Sequence, residues 1–162
     1  MSMTLLLDTN VWVDNYCANH VACRAVRAML DEAYQQGAVL VYPAGIVKDV
    51  FYVLGHEFRR AALANSGSNS LSESEALAVR QAVWGCVDNM CEVATAVGMD
   101  EADVWKARKY RSVTGDLEDN MVLAAAERVH ANYIVTSDQD LIQHSTVAAL
   151  TPTDMLSVLI AK

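Results

Sequence analysis

Short unbroken apolar runs alternate along the chain with longer stretches in which apolar residues recur every three or four positions. Residues 3–7 (Met-Thr-Leu-Leu-Leu) end in Asp8 and predict a fully buried strand, because a strand covered on both faces needs no polar alternation. Residues 10–17 and 20–36 read as helices, with Val21, Ala25, Ala28, Met29 and Ala33 at helical spacing and Gly37 as the stop. Residues 38–42 predict a second buried strand. Pro43 suits the first turn of a helix running to about Arg60. The polar stretch from Asn65 to Ser74 predicts an exposed loop. Ser72 and Glu75 then offer a capping box for a long helix to about Val97. Further helices are expected from Asp100 to Arg111 and from Gly115–Asp116 to His130. Strands are expected at 133–136 and Val147–Leu150, and Thr151-Pro152 opens a last helix.

Consecutive strands are separated by enough chain for helical crossovers, so the pairing is parallel and both sheet faces are covered. The expected class is α/β: a three-layer α/β/α sandwich around a central parallel sheet. With 162 residues, 53% of them hydrophobic, the chain suits one domain over 1–162, with residues 64–98 as an elaboration. No apolar run reaches the roughly 18 residues that span a bilayer, and Met1-Ser2-Met3-Thr4 lacks a basic stretch ahead of an apolar one. A cytoplasmic protein is expected. Cys17, Cys23, Cys86 and Cys91 match no metal-ligand spacing and read as free thiols. The net charge of −8 excludes a broadly basic DNA-coating surface.

Ligand sites in open parallel sheets lie outside the carboxyl ends of the strands, which directs attention to Asp8 and Asp138. Each could equally be a helix cap. Asp49 is harder to explain structurally. It lies beside the apolar stripe of Ile46, Val50, Val53 and Leu54, and Lys48 is expected to point about 100° away around the helix. A carboxylate there needs a partner, an arginine from elsewhere or a metal. Asp116 and Asp119 stand one turn apart at the start of an apolar helix, where acids suit the helix dipole. Two carboxylates on one face repel each other unless a cation separates them. Taken together, these acids suit a hard divalent cation such as Mg²⁺ or Mn²⁺, which polarises phosphate oxygens and activates water.

These residues resemble the PIN-domain nucleases, and among them the VapC-type toxins. Asp8-Thr9-Asn10-Val11 after an apolar strand is similar to the family's opening motif. Tyr42 to Val50 resembles the second motif, with its acid at Asp49. Asp119-Asn120-Met121 followed by an apolar run resembles the third, and Tyr133 to Asp140 resembles the closing strand motif. The resemblance implies catalytic and metal-binding roles for Asp8, Asp49, Asp119 and Asp138, with Asp116 as a further metal ligand and Asn10, Thr136 and Asp140 in support. The chain departs from the pattern at Asp49, where glutamate is usual, so the shorter side chain would reach an ion through water. The implied activity is metal-dependent endoribonuclease cleavage by a homodimer silenced by a small antitoxin protein.

Lys106, Arg108, Lys109 and Arg111 fall within six positions and could hold RNA phosphates, with Trp105 or Tyr110 stacking on a base; a solvated helix face is the simpler expectation. Trp12, Trp84 and Trp105 read as core or interface anchors, and the four histidines share no ligand spacing. Two other classes compete. A haloacid dehalogenase-type phosphatase wants a second Asp where Asn10 stands and a late lysine, of which only Lys162 remains. A receiver domain wants an acidic pair ahead of the first strand's aspartate, and none is present. A PIN-like module that binds RNA or a partner without cleaving is the remaining alternative.

Overall fold

The computed structural model describes residues 2–161; Met1 and Lys162, both weighed above, lie outside the described residues. Five strands form one all-parallel sheet: β1 (Thr4–Leu7), β2 (Val39–Pro43), β3 (Thr95–Val97), β4 (Tyr133–Val135) and β5 (Ala149–Leu150), in the order β3-β2-β1-β4-β5. Among the described residues eight α-helices connect and cover them: α1 (Thr9–Tyr16), α2 (Cys23–Gln35), α3 (Ile46–Ser66), α4 (Glu73–Val93), α5 (Glu101–Lys109), α6 (Leu117–Arg128), α7 (Gln139–His144) and α8 (Pro152–Ile160). The expected three-layer α/β/α architecture is present.

Alternate residues of each strand face opposite layers, as the pleat requires. Leu5, Leu7, Leu40, Tyr42 and Val135 pack into a core with side chains of α1, α2, α3, α4 and α8. Leu6, Val41, Val97 and Ile134 pack on the other face against Val122, Leu123, Ala125 and Ala126 of α6 and Leu141 of α7. After Thr4 the central strand β1 is therefore apolar, and Leu5, Leu6 and Leu7 are all fully buried.

The structure corrects several expected boundaries. Pro43 ends β2 instead of starting a helix; it sits opposite Val97, and α3 begins at Ile46. Helix α3 runs past Arg60 to Ser66, because Ala61-Ala62-Leu63-Ala64 contains no breaker. It stops where Gly67 takes a left-handed conformation (φ +63°) and donates its N–H to the Leu63 carbonyl. Helix α4 starts with the expected capping box of Ser72 and Glu75 but ends at Val93. Ala94 then turns extended, and Thr95–Val97 becomes the edge strand β3 through pairing with β2. Periodicity could not reveal this, because three apolar-to-neutral residues after a helix look like its continuation; the ladder with β2 decides. Helix α7, capped by Asp138, was not expected either. Of the tryptophans, Trp12 is core, whereas Trp84 and Trp105 are each more than half exposed.

The chain leaves β1 towards β2 and β3, then returns across the sheet through α5 and α6 to β4 on the other side of β1. The carboxyl ends of β1 and β4 thus flank the point where strand order reverses, the usual place for a ligand crevice. Asp8 and Asp138 follow those two strands.

Candidate active site at the carboxyl edge of the sheet

Asp8 emerges from β1 almost completely buried. Its Oδ1 accepts the Thr9 N–H at 2.7 Å, and its Oδ2 accepts from Asn10 Nδ2 at 2.8 Å and from Thr136 Oγ1 at 2.8 Å. Thr136 follows β4 and also accepts the Asp138 N–H at 3.0 Å, while Asn10 Oδ1 accepts the Ser137 N–H at 3.0 Å. Asn10 and Thr136 thus stitch the exits of β1 and β4 together and fix the Asp8 carboxylate between them.

Asp138 caps α7: its Oδ1 accepts the N–H groups of Asp140 and Leu141 at 2.8 and 3.0 Å. Asp116 caps α6 in the same way, accepting from Glu118 and Asp119 at 2.7 and 3.4 Å. Asp8, Asp116 and Asp138 are therefore all helix caps, so three helix N-termini border one cleft, and a helix N-terminus favours nearby negative charge. Capping occupies one oxygen of Asp116 and of Asp138. Asp140 is exposed and lends the site only its backbone N–H, so its carboxylate stands apart from the cluster.

These acids line a cleft of about 450 Å³ together with Thr9, Asn10, Val13, Asp14, His20, Val53, Glu118 and Asp119. Six acidic residues line it (Asp8, Asp14, Asp116, Glu118, Asp119 and Asp138), and among the described residues no lysine or arginine does. The electrostatics reflect this. Burial pushes Asp8 above its ordinary range, and the nearby Asp138 adds to the shift, although hydrogen bonds from Thr136, Thr9 and Asn10 oppose it. Partial burial and then repulsion from Asp138, Asp116, Asp8 and Glu118 push Asp119 up to about 6. Burial, followed by the charges of Asp49, Asp8 and Asp116, raises Glu118.

A family profile described as "PIN domain" matches residues 4–140. The chain belongs to the PIN-domain family. Two solved structures share the fold at low sequence identity. One is VapC20 of Mycobacterium tuberculosis, a sarcin–ricin-loop-cleaving toxin: 8% identity, TM-score 0.62, 86% of this chain and 93% of that chain covered. The other is VapBC2 from Rickettsia felis bound to a DNA fragment from their promoter: 10% identity, TM-score 0.55, 92% of this chain and 98% of that chain covered. No curated protein matches the chain.

In this PIN domain the second acid stands apart. Asp49 lines a neighbouring cleft with Pro43, Ile46, Met99, Leu117, Glu118 and Met121, and Glu118 is common to both clefts. Lys48 does not point away as the helix angle implied; its long side chain bends back to put Nζ 3.4 Å from Asp49 Oδ1. The carboxylate is only partly buried, so the pairing removes the argument that Asp49 must have another partner. Among the described residues no three acidic, histidine or cysteine side chains are placed to hold one metal ion directly. The donor chemistry of Asp8, Asp116, Asp119 and Asp138 nevertheless fits a hard cation: their side chains offer only oxygen, are anionic, and form no ion pair among the described residues.

The sequence also pointed too narrowly. Glu118, which accepts from Thr9 Oγ1 at 3.4 Å, and Asp14 both line the acidic cleft. His20, assigned no role from its spacing, joins them, with Nδ1 2.7 Å from Asp14 Oδ1 and Nε2 3.7 Å from Glu57 Oε2. Asn10 and Asp14 are four residues apart and share a face of α1, a signal that could have placed Asp14.

The raised Asp119 gives a pH signature. A carboxylate whose folded pKa lies above its unfolded value binds protons more tightly when folded, so its contribution to stability falls as pH rises from about 4 through about 6. Asp119→Asn should therefore be more stable than the wild type in metal-free buffer at pH 7, with the advantage vanishing near pH 4. Asp119 is partly exposed, so solvent screening limits the gain to on the order of 1 kcal/mol. Thermal denaturation of both proteins across that range checks this; an advantage that grows towards acid pH contradicts the placement.

Proposed function

We propose that this PIN domain is a Mg²⁺- or Mn²⁺-dependent endoribonuclease, acting as the toxin of a toxin–antitoxin pair. The observation that carries the reading is the cleft itself: six acidic residues line it at the sheet's topological switch point, and among the described residues His20, paired with Asp14, is the one basic side chain beside them. Such a cluster would repel a polyanion and strain the fold unless a cation enters. A bound Mg²⁺ or Mn²⁺ would polarise a phosphate oxygen and make a water molecule acidic enough to attack phosphorus.

Asp8, Asp116, Asp119 and Asp138 would hold the ion. Because the carboxylates ring the cleft without closing on a point, ordered water would complete the shell, as suits Mg²⁺. Asp8 would be the anchor, since three hydrogen bonds engage both its oxygens and hold the carboxylate in place. Asp49, across Glu118, would act through water, in keeping with its shorter side chain. Asn10 and Thr136 hold the two strand exits in register. The whole of 1–162 would form one nuclease domain, with residues 64–98 as an elaboration. Its homodimer would work in the cytoplasm on RNA and be held silent by a small antitoxin protein. The low-identity likeness to VapC20 and to VapBC2 supports this assignment through the fold. Among the described residues no helix is long and apolar enough to cross a membrane.

The test is direct. Purified protein incubated with structured RNA in Mn²⁺ or Mg²⁺ should cut it internally, and excess chelator should stop the reaction. RNA binding without cleavage in either ion would favour the alternative, a non-catalytic PIN module, for which the Lys48–Asp49 pairing already speaks. The phosphatase reading gains nothing, since Asn10, in the place of its second aspartate, is a donor to Asp8.

A further inference from the structure

The basic residues between 106 and 111 separate in three dimensions. Lys106 turns towards Glu127, with Nζ 3.4 Å from Oε2. Arg108, Lys109 and Arg111 instead line an open cleft of about 520 Å³ with Trp105, Ala107, Gly115, Leu117 and Asn120. Among the described residues Lys48, Arg60, Lys106 and Arg128 all form ion pairs, whereas Arg108, Lys109 and Arg111 form none. In a chain of net charge −8, three unpaired cations on one cleft make a local place where a polyanion can be held.

The aromatic component is settled as well. Tyr110 is turned to Glu127, whose charge and hydrogen bond, after burial, push the phenol up to about 12. Trp105 is 54% exposed, and the Arg108 guanidinium lies 4.8 Å from its ring centroid. An indole and a guanidinium offered together to solvent form a flat, sequence-tolerant surface on which a base can stack. A base can reach such a surface only if it is unpaired.

The cleft also adjoins the acidic one through the chain itself. Gly115 lines the basic cleft and Asp116 the acidic cleft, and consecutive Cα atoms are only about 3.8 Å apart. On the next turn Asn120 lines the first and Asp119 the second.

From the exposed Trp105–Arg108 pair, the unpaired Lys109 and Arg111 and the adjoining acidic cleft, we infer that the Trp105–Arg108–Lys109–Arg111 cleft is the subsite that holds the RNA strand, with an unpaired base on Trp105 and Arg108 and the flanking phosphates on Lys109 and Arg111. This rests on the ribonuclease reading for the identity of the polymer, but binding can be measured without cleavage. The strand is drawn in by the basic cleft and its adjoining phosphodiester is delivered to the carboxylates of Asp116 and Asp119. The preference that follows is for a loop or single-stranded segment over continuous duplex.

The experiment uses the full chain carrying Asp8→Asn, so that RNA stays intact, and a fluorescent single-stranded oligoribonucleotide of mixed sequence, read by anisotropy. Trp105→Ala should weaken binding about tenfold. Lys109→Glu combined with Arg111→Glu should weaken it at least as much and flatten its dependence on salt, since each single-strand phosphate contact contributes a slope of about −0.7. Arg108→Lys keeps the charge but loses the planar stack, and should fall between. A fully paired RNA duplex should bind more weakly than the single strand and should not respond to Trp105→Ala. All four side chains are exposed, so folding is not at stake. Unchanged affinity in the charge-reversal variant, or equal binding of duplex and single strand, overturns the inference, even if wild-type protein cleaves RNA. Conversely, these losses in a protein that never cleaves would uphold the subsite and sink the nuclease reading.

Discussion

Asp8→Asn is expected to lower RNA cleavage by a thousandfold or more, on the order of what removal of an essential electrostatic group costs, while the protein stays folded. The two halves of that expectation have separate causes. Activity fails because an amide carries no charge and holds a hard cation poorly. Stability changes little because two effects oppose each other. An asparagine has a single acceptor oxygen, so either the Thr9 N–H or the paired donors from Asn10 and Thr136 would lose their partner, at about 1 kcal/mol. Against that, a charge that burial already disfavours is no longer forced into the site. Cleavage at constant RNA and Mn²⁺, measured beside the melting temperature, separates the two. A variant that cuts as fast as the wild type removes Asp8 from the chemistry.

Millimolar Mn²⁺ should raise the melting temperature of the wild type. An ion at a hundred times its dissociation constant stabilises the folded state by about 2.7 kcal/mol. For a chain of this size each kcal/mol moves the transition by roughly 2–4 °C, so a rise of about 5–10 °C is expected. The rise should nearly vanish in Asp8→Asn and shrink in Asp119→Asn. It should be larger at pH 7 than at pH 5, because Asp119, pushed up to about 6, must lose its proton before it can hold a cation. Asp49→Asn should reduce the shift least among the acids, because Asp49 lines the neighbouring cleft and is already paired with Lys48. No shift in either Mn²⁺ or Mg²⁺ would mean that the carboxylates are caps and nothing more.

That last outcome is physically reasonable, which is why the capping geometry matters. Asp8, Asp116 and Asp138 each perform the ordinary work of a helix N-cap. One oxygen of each suffices for that. What capping does not account for is why three caps, with Asp14, Glu118 and Asp119, should border a single cleft that no lysine or arginine among the described residues lines. Isolated caps spread over a surface would be solvated separately. Gathered together and partly buried, Asp119 and Glu118 hold protons more tightly, burial contributing most and the neighbouring carboxylates adding to it.

The apolar runs ending in Asp8 and before Ser137 fixed the parallel strands, the side of the sheet and two of the acids, because burial on both faces leaves a strand no freedom to be polar. The order of the four acid-bearing motifs was equally legible and corresponds to the family match over residues 4–140. Other features belong to the tertiary structure alone. Thr95–Val97 is a strand only because β2 offers it an edge. Lys48 meets Asp49 because a four-carbon side chain can bend where a helical wheel sees only an angle. Lys106 parts from Arg108, Lys109 and Arg111 because Glu127, twenty-one residues on, lies across the α5–α6 contact. A sequence determines what each residue prefers nearby; which charges share a cleft is decided by long-range packing, because Coulomb energy depends on distance in space and not along the chain.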